Sequence, residues 1–246
     1  MEAYEGEITY TSEVVTCLKR GSCLIIVHHL NNSRSQRVLW LLEELELPYE
    51  IKRYERDPET MMAPPSLKKV HPLGKSPVIS DGEKIIAESG AILEYLVDEY
   101  GQGRLKPKER SHEALRYRYF MHYAEGSAMP PLLLSLVFSR LLTVPLPFFV
   151  KPIVKEIVKK THESFINPQI RLHLDFIESE LGQRSWFCGE EMTTADIQMS
   201  FILEAAVARG GLNESYPKLQ AFLKKIHSRA AYQRAVEKGG PFELLM

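Results

Sequence analysis

Apolar and polar positions alternate along this chain with two different periods, and the change of period divides it. Leu24-Ile25-Ile26-Val27-His28 is a short, mostly apolar run that predicts a strand buried on both faces. Polar Asn31-Asn32-Ser33 follows with helix-capping chemistry, and Val38, Leu42 and Leu45 fall at i, i+4 and i+7, which predicts a helix from about Ser33 to Glu46. Pro48 ends it, and Tyr49 to Tyr54, with imperfect alternation, predicts a second strand. Pro64 to Val70 is a short helix closed by His71-Pro72-Leu73-Gly74. A strand from Pro77 to Ser80, a turn at Asp81-Gly82 and a strand from Lys84 to Ala87 form a hairpin. Ile92, Leu96 and Tyr100 continue a helix that opens at Ser89 and stops at Gly101. The order β-α-β-α-β-β-α predicts a small mixed sheet with helices on its faces.

After Gly103 the strand signals disappear. Glu109 to about Tyr123 is helical in composition, and Ile166, Ile170, Leu174, Ile177 and Leu181 repeat at helical spacing. Thr193 with Asp196 forms a capping box that opens a helix through Ala195, Met199, Ile202 and Ala206. Pro217 stands at a first helical position before Leu219, Phe222 and Ile226, and Gly239-Gly240 ends the last helix. Three regions result: a flexible, mostly polar extension over 1–22, an α/β domain over 23–103 and an all-α domain over 104–246.

Composition narrows the class. The 246 residues are 44% apolar and 26% charged with a net charge of -1, the balance of a soluble globular protein with no call for nucleic acid. Cys17, Cys23 and Cys188 lack disulfide or metal spacing, which predicts a reducing, cytoplasmic setting. The amino terminus has no basic start followed by an apolar core, so no secretory signal is predicted. Met129 to Val150 is largely apolar and about long enough to span a bilayer, but Arg140 and Pro130, Pro131, Pro145 and Pro147 interrupt it. A buried helix followed by an apolar loop is expected there, with peripheral contact to an intracellular membrane as the alternative.

Candidate chemistry gathers at two places. If the Ser76-Pro77 bond is cis, the backbone of Val78 turns outward and can pair with an extended peptide. Ser89, read as the N-cap of its helix, presents free amides to a carboxylate. Both suit a small peptide with a free α-carboxylate. His28 and His29 follow a strand and are read as packing or solvent-facing residues, with no metal expected.

Taken together, the first strand, the Asn-Ser-Arg helix start, Ser76-Pro77-Val78, Glu88-Ser89 and the helical second half resemble a glutathione transferase, over about residues 24 to 240. Val27 to Leu47 looks most like the fungal and bacterial branch. The resemblance implies a thioredoxin-like α/β first domain that binds glutathione as co-substrate and an all-α second domain holding an apolar co-substrate. It implies conjugation of the glutathione thiolate to hydrophobic electrophiles, a detoxification chemistry, or reduction of organic hydroperoxides, in a homodimer. Val78 would pair through its backbone with the cysteinyl part, Glu88 and Ser89 would hold the γ-glutamyl end, and Lys75 would reach the glycyl carboxylate. Where relatives place a catalytic Ser or Tyr, this chain has Asn32 beside Ser33, so Asn32, Ser33 and Ser35 are the candidates for contact with the thiolate. Tyr119, His122 and Tyr123 would line the second-substrate site or pack in the core.

A free thiol has a pKa near 8.5, so about 3% is thiolate at pH 7. Lowering it by ~2 units needs about 2.7 kcal/mol, within reach of one charged hydrogen bond and a helix N-terminus. The rival reading is a catalytically weak protein of the same fold that binds hydrophobic ligands or partners.

Overall fold

A computed structural model describes residues 24–242 and 244. The extension expected over 1–22, with Cys17, and also Cys23, lies outside the described residues. The first half runs β1 (Ile25–Leu30), α1 (Ser35–Leu45), β2 (Tyr49–Tyr54), a short 3-10 helix (Pro65–Lys69), β3 (Val78–Asp81), β4 (Lys84–Ala87) and α2 (Ser89–Tyr100). The sheet order is β2-β1-β3-β4, with β1 and β2 parallel and the other pairs antiparallel. Val27 lies between Ile51 and Ile79, all three in one register row.

The predicted hairpin turn moves one residue along. Asp81 stays in the strand opposite Lys84, and Gly82-Glu83 makes the turn. Asp81 is buried and accepts phenol protons from Tyr95 and Tyr100 of α2, which holds it in line.

The second half runs α3 (His112–Tyr123), a π-helical turn (Ala124–Ala128), α4 (Met129–Arg140), α5 (Lys151–Thr161), a second π-helical turn (His162–Ile166), α6 (Asn167–Gln183), α7 (Thr194–Arg209), α8 (Pro217–His227) and α9 (Ala230–Gly239). Both π turns precede prolines: Pro130 and Pro131 in one case, Pro168 in the other. A proline inside a helix lacks an amide hydrogen and its ring collides with the carbonyl four residues back, here Gly126, Ser127 and Ser164. All three carbonyls lie within the wider turns, which take up the collision and let α3–α4 and α5–α6 run on as continuous rods.

Expectation and structure part over Met129 to Val150. α4 buries Met129, Pro131, Leu132 and Ser135, but Leu133, Val137, Leu141 and Leu142 are exposed and Phe148 is 85% exposed. One face packs against α7 while the other has no helix over it, so the segment is half buried. No helix among the described residues is long and apolar enough to cross a membrane.

α1 joins the halves. Ten of its eleven residues are buried, all except Glu44, because the sheet covers one side and α2, α7 and α9 cover the rest. The close approach of α9 needs Gly239, where a Cβ would come within 2.8 Å of Gln36 Oε1 and Leu39 Cδ1. One continuous core therefore runs from Ile25 to Ala235 through this helix. The predicted capping box is present: Asp196 accepts from the Thr193 amide at 2.8 Å and from the Phe187 amide at 2.9 Å, fixing the loop that leads into α7.

Candidate functional site

The loop before α1 and the turn before β3 meet at the carboxyl end of β1. Asn32 is in the left-handed region with φ 48°, a conformation that its short polar side chain tolerates. α1 starts at Ser35 with Arg34 before it and no side-chain cap, so Asn31-Asn32-Ser33 does not cap the helix in the expected way. Instead Ser33 Oγ accepts the Ser35 amide at 3.3 Å.

The hydroxyls form an internal chain. Burial, and then Arg53, push the imidazole of His29 down to about 4, against its hydrogen bond to the Gly239 backbone. The ring is therefore neutral and donates its one proton toward Gly239, so Nδ1 accepts from Ser35 Oγ at 2.9 Å. Ser35 Oγ in turn accepts from Ser33 Oγ at 2.8 Å, and Ser76 Oγ lies 3.4 Å from Ser33. Ser35 has no exposed surface. Its expected contact with a ligand is thus corrected: Ser35 positions Ser33 from behind. His28 is likewise internal, bonded to Tyr54 and Ser80, and among the described residues no cluster has metal-ligand spacing.

The Ser76-Pro77 bond is cis, and Val78 is completely buried, in register with His28 of β1 and Ala87 of β4. Ser89 is the first residue of α2, one place inside the expected cap; Glu88 precedes the helix and makes no cap hydrogen bond. Ser89 Oγ accepts from Arg37 Nη2 at 2.8 Å. With a cation on its lone pair, the hydroxyl has its own proton to give to an anion.

Glu88 stands at φ 73°, ψ 125° with its carboxylate exposed. Such a backbone costs an L-residue about 1–3 kcal/mol. Glu88→Gly is expected to stabilise the fold by about 1 kcal/mol after the entropy of the extra glycine is counted. A rise in the urea midpoint with unchanged slope would show this, and a fall would mean that the site is relaxed.

Arg37 is the residue that periodicity concealed. It is on α1, 2% exposed, and it donates to the Gln198 carbonyl at 2.7 Å, to Ser89 and to Glu125 Oε1 at 2.7 Å. Glu125 also takes Arg34 Nε at 3.0 and 3.2 Å. Burial pushes the Glu125 carboxyl up, but Arg37 and Arg34 outweigh it and hold it below the usual range. Both guanidinium groups lie over the Phe201 ring, at 5.0 and 5.3 Å from its centroid. Glu125 sits in the first π turn, whose wider path no spacing rule foretells.

Between the halves opens a cavity of about 330 Å³. Asn32, Lys75 and Ser76 form one wall, and Met129, Leu133 and Leu136 of α4 with Phe201 form the other. Among the residues expected to act, Asn32 and Lys75 line it directly and Ser33 touches it through Ser76. Val78, Glu88, Ser89, Tyr119, His122 and Tyr123 do not line it. Tyr119 stacks on Tyr123, both pack on Phe176, and Tyr123 Oη bonds His173 Nδ1 at 2.7 Å, while His122 is exposed. Tyr123 is buried in the core, whereas Tyr119 covers it from the outside and stays 48% exposed. A larger cavity, about 760 Å³, lies beyond α4 around His162, Arg171 and Tyr216 and includes none of the candidate residues.

Comparison with known proteins decides the family. The family described as Glutathione S-transferase, N-terminal domain, matches residues 22–98, and its C-terminal domain matches residues 141–230. Glutathione S-transferase 3 of Schizosaccharomyces pombe is 37% identical over 215 residues, 87% of this chain and 88% of that protein. The chain belongs to the glutathione S-transferase family. Its fold, a thioredoxin-like domain followed by a helical one, is that of these transferases, and its curated relatives include yeast enzymes. A glutathione S-transferase from Actinobacillus pleuropneumoniae, solved by crystallography, is 33% identical with a TM-score of 0.75, covering 89% of this chain and 95% of that one. A glutathione transferase homologue from Sulfitobacter with bound glutathione shares the fold at 20% identity, TM-score 0.70, covering 88% and 98%.

Proposed function

We propose that this transferase binds glutathione along β3 and adds its thiolate to a hydrophobic electrophile in the 330 Å³ cavity, with reduction of organic hydroperoxides as a second outlet. The observation that carries this reading is the shared cavity: Asn32, Lys75 and Ser76 face the apolar side of α4 across it. Glutathione would pair with the Val78 backbone, place its α-carboxylate at the Ser89 hydroxyl and its ammonium at Glu88, and bring its glycyl carboxylate to Lys75. Arg37 supports this by leaving the Ser89 proton available.

The thiol proton goes to solvent, since a thiol stabilised by about 2.7 kcal/mol needs no protein base near neutral pH. Asn32 and Ser33 are the groups within reach of the sulfur, and Ser35 holds Ser33. The thiolate attacks the electrophilic carbon, the C–S bond forms, and the leaving group departs with its electron pair. With a hydroperoxide, two glutathiones become the disulfide while the O–O bond yields alcohol and water. The likeness to the family also supports a homodimer, for which Ile85 on β4 and Leu115 and Tyr119 on α3 supply exposed apolar surface, and detoxification in the cytoplasm.

The test follows thiolate absorbance in the ultraviolet and the conjugation rate together. Bound thiol should ionise about 2 units below free thiol, and Asn32→Ala and Ser33→Ala should each lower the rate roughly 10-fold, the loss of one charged hydrogen bond. If Asn32→Ala, Ser33→Ala and Ser35→Ala all leave the rate untouched, the assignment is wrong. One observation favours the rival, a weak catalyst that binds ligands: the hydroxyls of Ser33 and Ser35 already bond to each other and to His29. Glutathione uptake by calorimetry without thiolate absorbance would establish it.

A further inference from the structure

The cavity holds more positive charge than glutathione requires. In the reading above, Ser89 and Lys75 receive the two carboxylates, and Arg34 is matched by Glu125. Arg56 and Arg140 still line the same space, beside Arg209, and no Asp or Glu among the described residues does; the surplus rests on Arg56 and Arg140 alone.

Arg56 is half-buried. It gives Nη1 to the Met61 carbonyl at 3.1 Å and Nη2 to the Asn32 carbonyl at 3.5 Å, contacts that aim the guanidinium without neutralising it. Arg140, the last residue of α4, is exposed at the opposite wall and has no carboxylate within ion-pair distance among the described residues. These cations feel one another: burial, and then Arg140 and Arg34, push the Arg56 guanidinium below its ordinary value. Burial, and then Arg34 and Arg140, do the same to Arg209. A cleft that gathers like charges is less favourable empty than when an anion enters it. The same cavity is lined by apolar side chains, Met129, Leu133, Leu136 and Phe201 among them.

Resting on the transfer reading above, we propose that the second substrate is an amphiphilic anion. Its apolar body lies on α4, and its carboxylate sits between Arg56 and Arg140. Arginine suits this position because its planar fork can meet both carboxylate oxygens. The groups that carry the specificity are thus cationic, although the wall that they interrupt is apolar.

A chlorodinitrobenzoate and its methyl ester test this, since they differ in charge but undergo the same substitution, each rate being scaled to its own uncatalysed reaction. The thiolate attacks the chlorine-bearing carbon, the C–S bond forms, and chloride leaves with the electron pair. The acceleration over the uncatalysed reaction should be at least about 10-fold larger for the acid, the equivalent of one added charge contact, and should shrink as salt is raised. Arg56→Gln with Arg140→Gln should lower kcat/KM for the acid about 10-fold more than for the ester, mostly through KM. The single variant Arg140→Gln, at an exposed residue, guards against misfolding of the pair and should move the ratio in the same direction. Equal acceleration of acid and ester, or equal losses in the variants, would overturn the proposal. If neither compound is conjugated, the transfer reading fails, and calorimetry with the unchlorinated dinitrobenzoate and its ester, glutathione present, still decides this one. Tighter binding of the acid that the variants abolish supports it, and equal binding overturns it.

Discussion

Arg37→Met should lower the stability of this transferase by about 3 kcal/mol, the low end for a buried ion pair that loses one partner, because Glu125 is half-exposed and partly hydrated when left behind. For a chain of this size that is a fall in melting temperature of roughly 10 °C. Methionine matches the shape of the arginine stem, so the loss reports on the guanidinium and not on a void. Three acceptors are abandoned together: the Gln198 carbonyl on α7, the Ser89 hydroxyl on α2 and the Glu125 carboxylate in the π turn. Arg37→Lys should recover only part, since one ammonium cannot span three directions. Thermal unfolding of both variants is the measurement. A loss under about 1 kcal/mol, the value of an exposed pair, would show that this junction is not what ties α1 to the helical domain.

Acid should weaken the fold through His29. Its folded value is about 4 against 6.5 for an exposed imidazole, so the unfolded chain takes up the proton first. Stability from this group is full above pH 6.5 and is lost as pH falls from there to 4, about 3 kcal/mol in all. His28, lowered by burial and then by Lys52, acts in the same direction. Urea midpoints of the natural chain and of His29→Gln, measured between pH 7 and 4.5, isolate the effect, since the other groups cancel in the difference. The variant should lose less stability on acidification, and parallel curves would remove His29 from the account.

Much of this fold could be read before any coordinates. β1, the β3–β4 hairpin, α2, α3, α6, α7 and the start of α8 follow from local period and turn chemistry, and Gly101, Gly240 and the Thr193–Asp196 box mark boundaries where they stand, but α5 and the break between α8 and α9 do not. Burial around a whole helix was not legible. Val38, Leu42 and Leu45 mark one face of α1, but Ser35, Gln36, Arg37 and Glu43 are buried as well, because α7 and α9, distant in sequence, close over them.

The same limit applies to the site. Lys75 and Asn32 reach the cavity as their place beside the strand and helix starts implies. Tyr119 and Tyr123 were separated from it only by the direction in which α3 turns, which the pattern of residues leaves open. Arg37, Glu125, Arg56 and Arg140 look like ordinary charged residues in sequence. Their roles come from contacts between residues 88 apart, as in Arg37 with Glu125, or across walls built by different halves.

The π turn at Ala124–Ala128 places a numerical constraint on the second-substrate wall. Removing a single residue there would close an ordinary turn, rotate everything beyond it by about 100° and draw it in by about 1.5 Å. Leu133, Leu136 and Arg140 would then swing away from Lys75 and Asn32 with every side chain unaltered. On the proposed reading, the number of residues in this turn helps to set which second substrate fits, and a one-residue deletion would change that with no exchange of residue type.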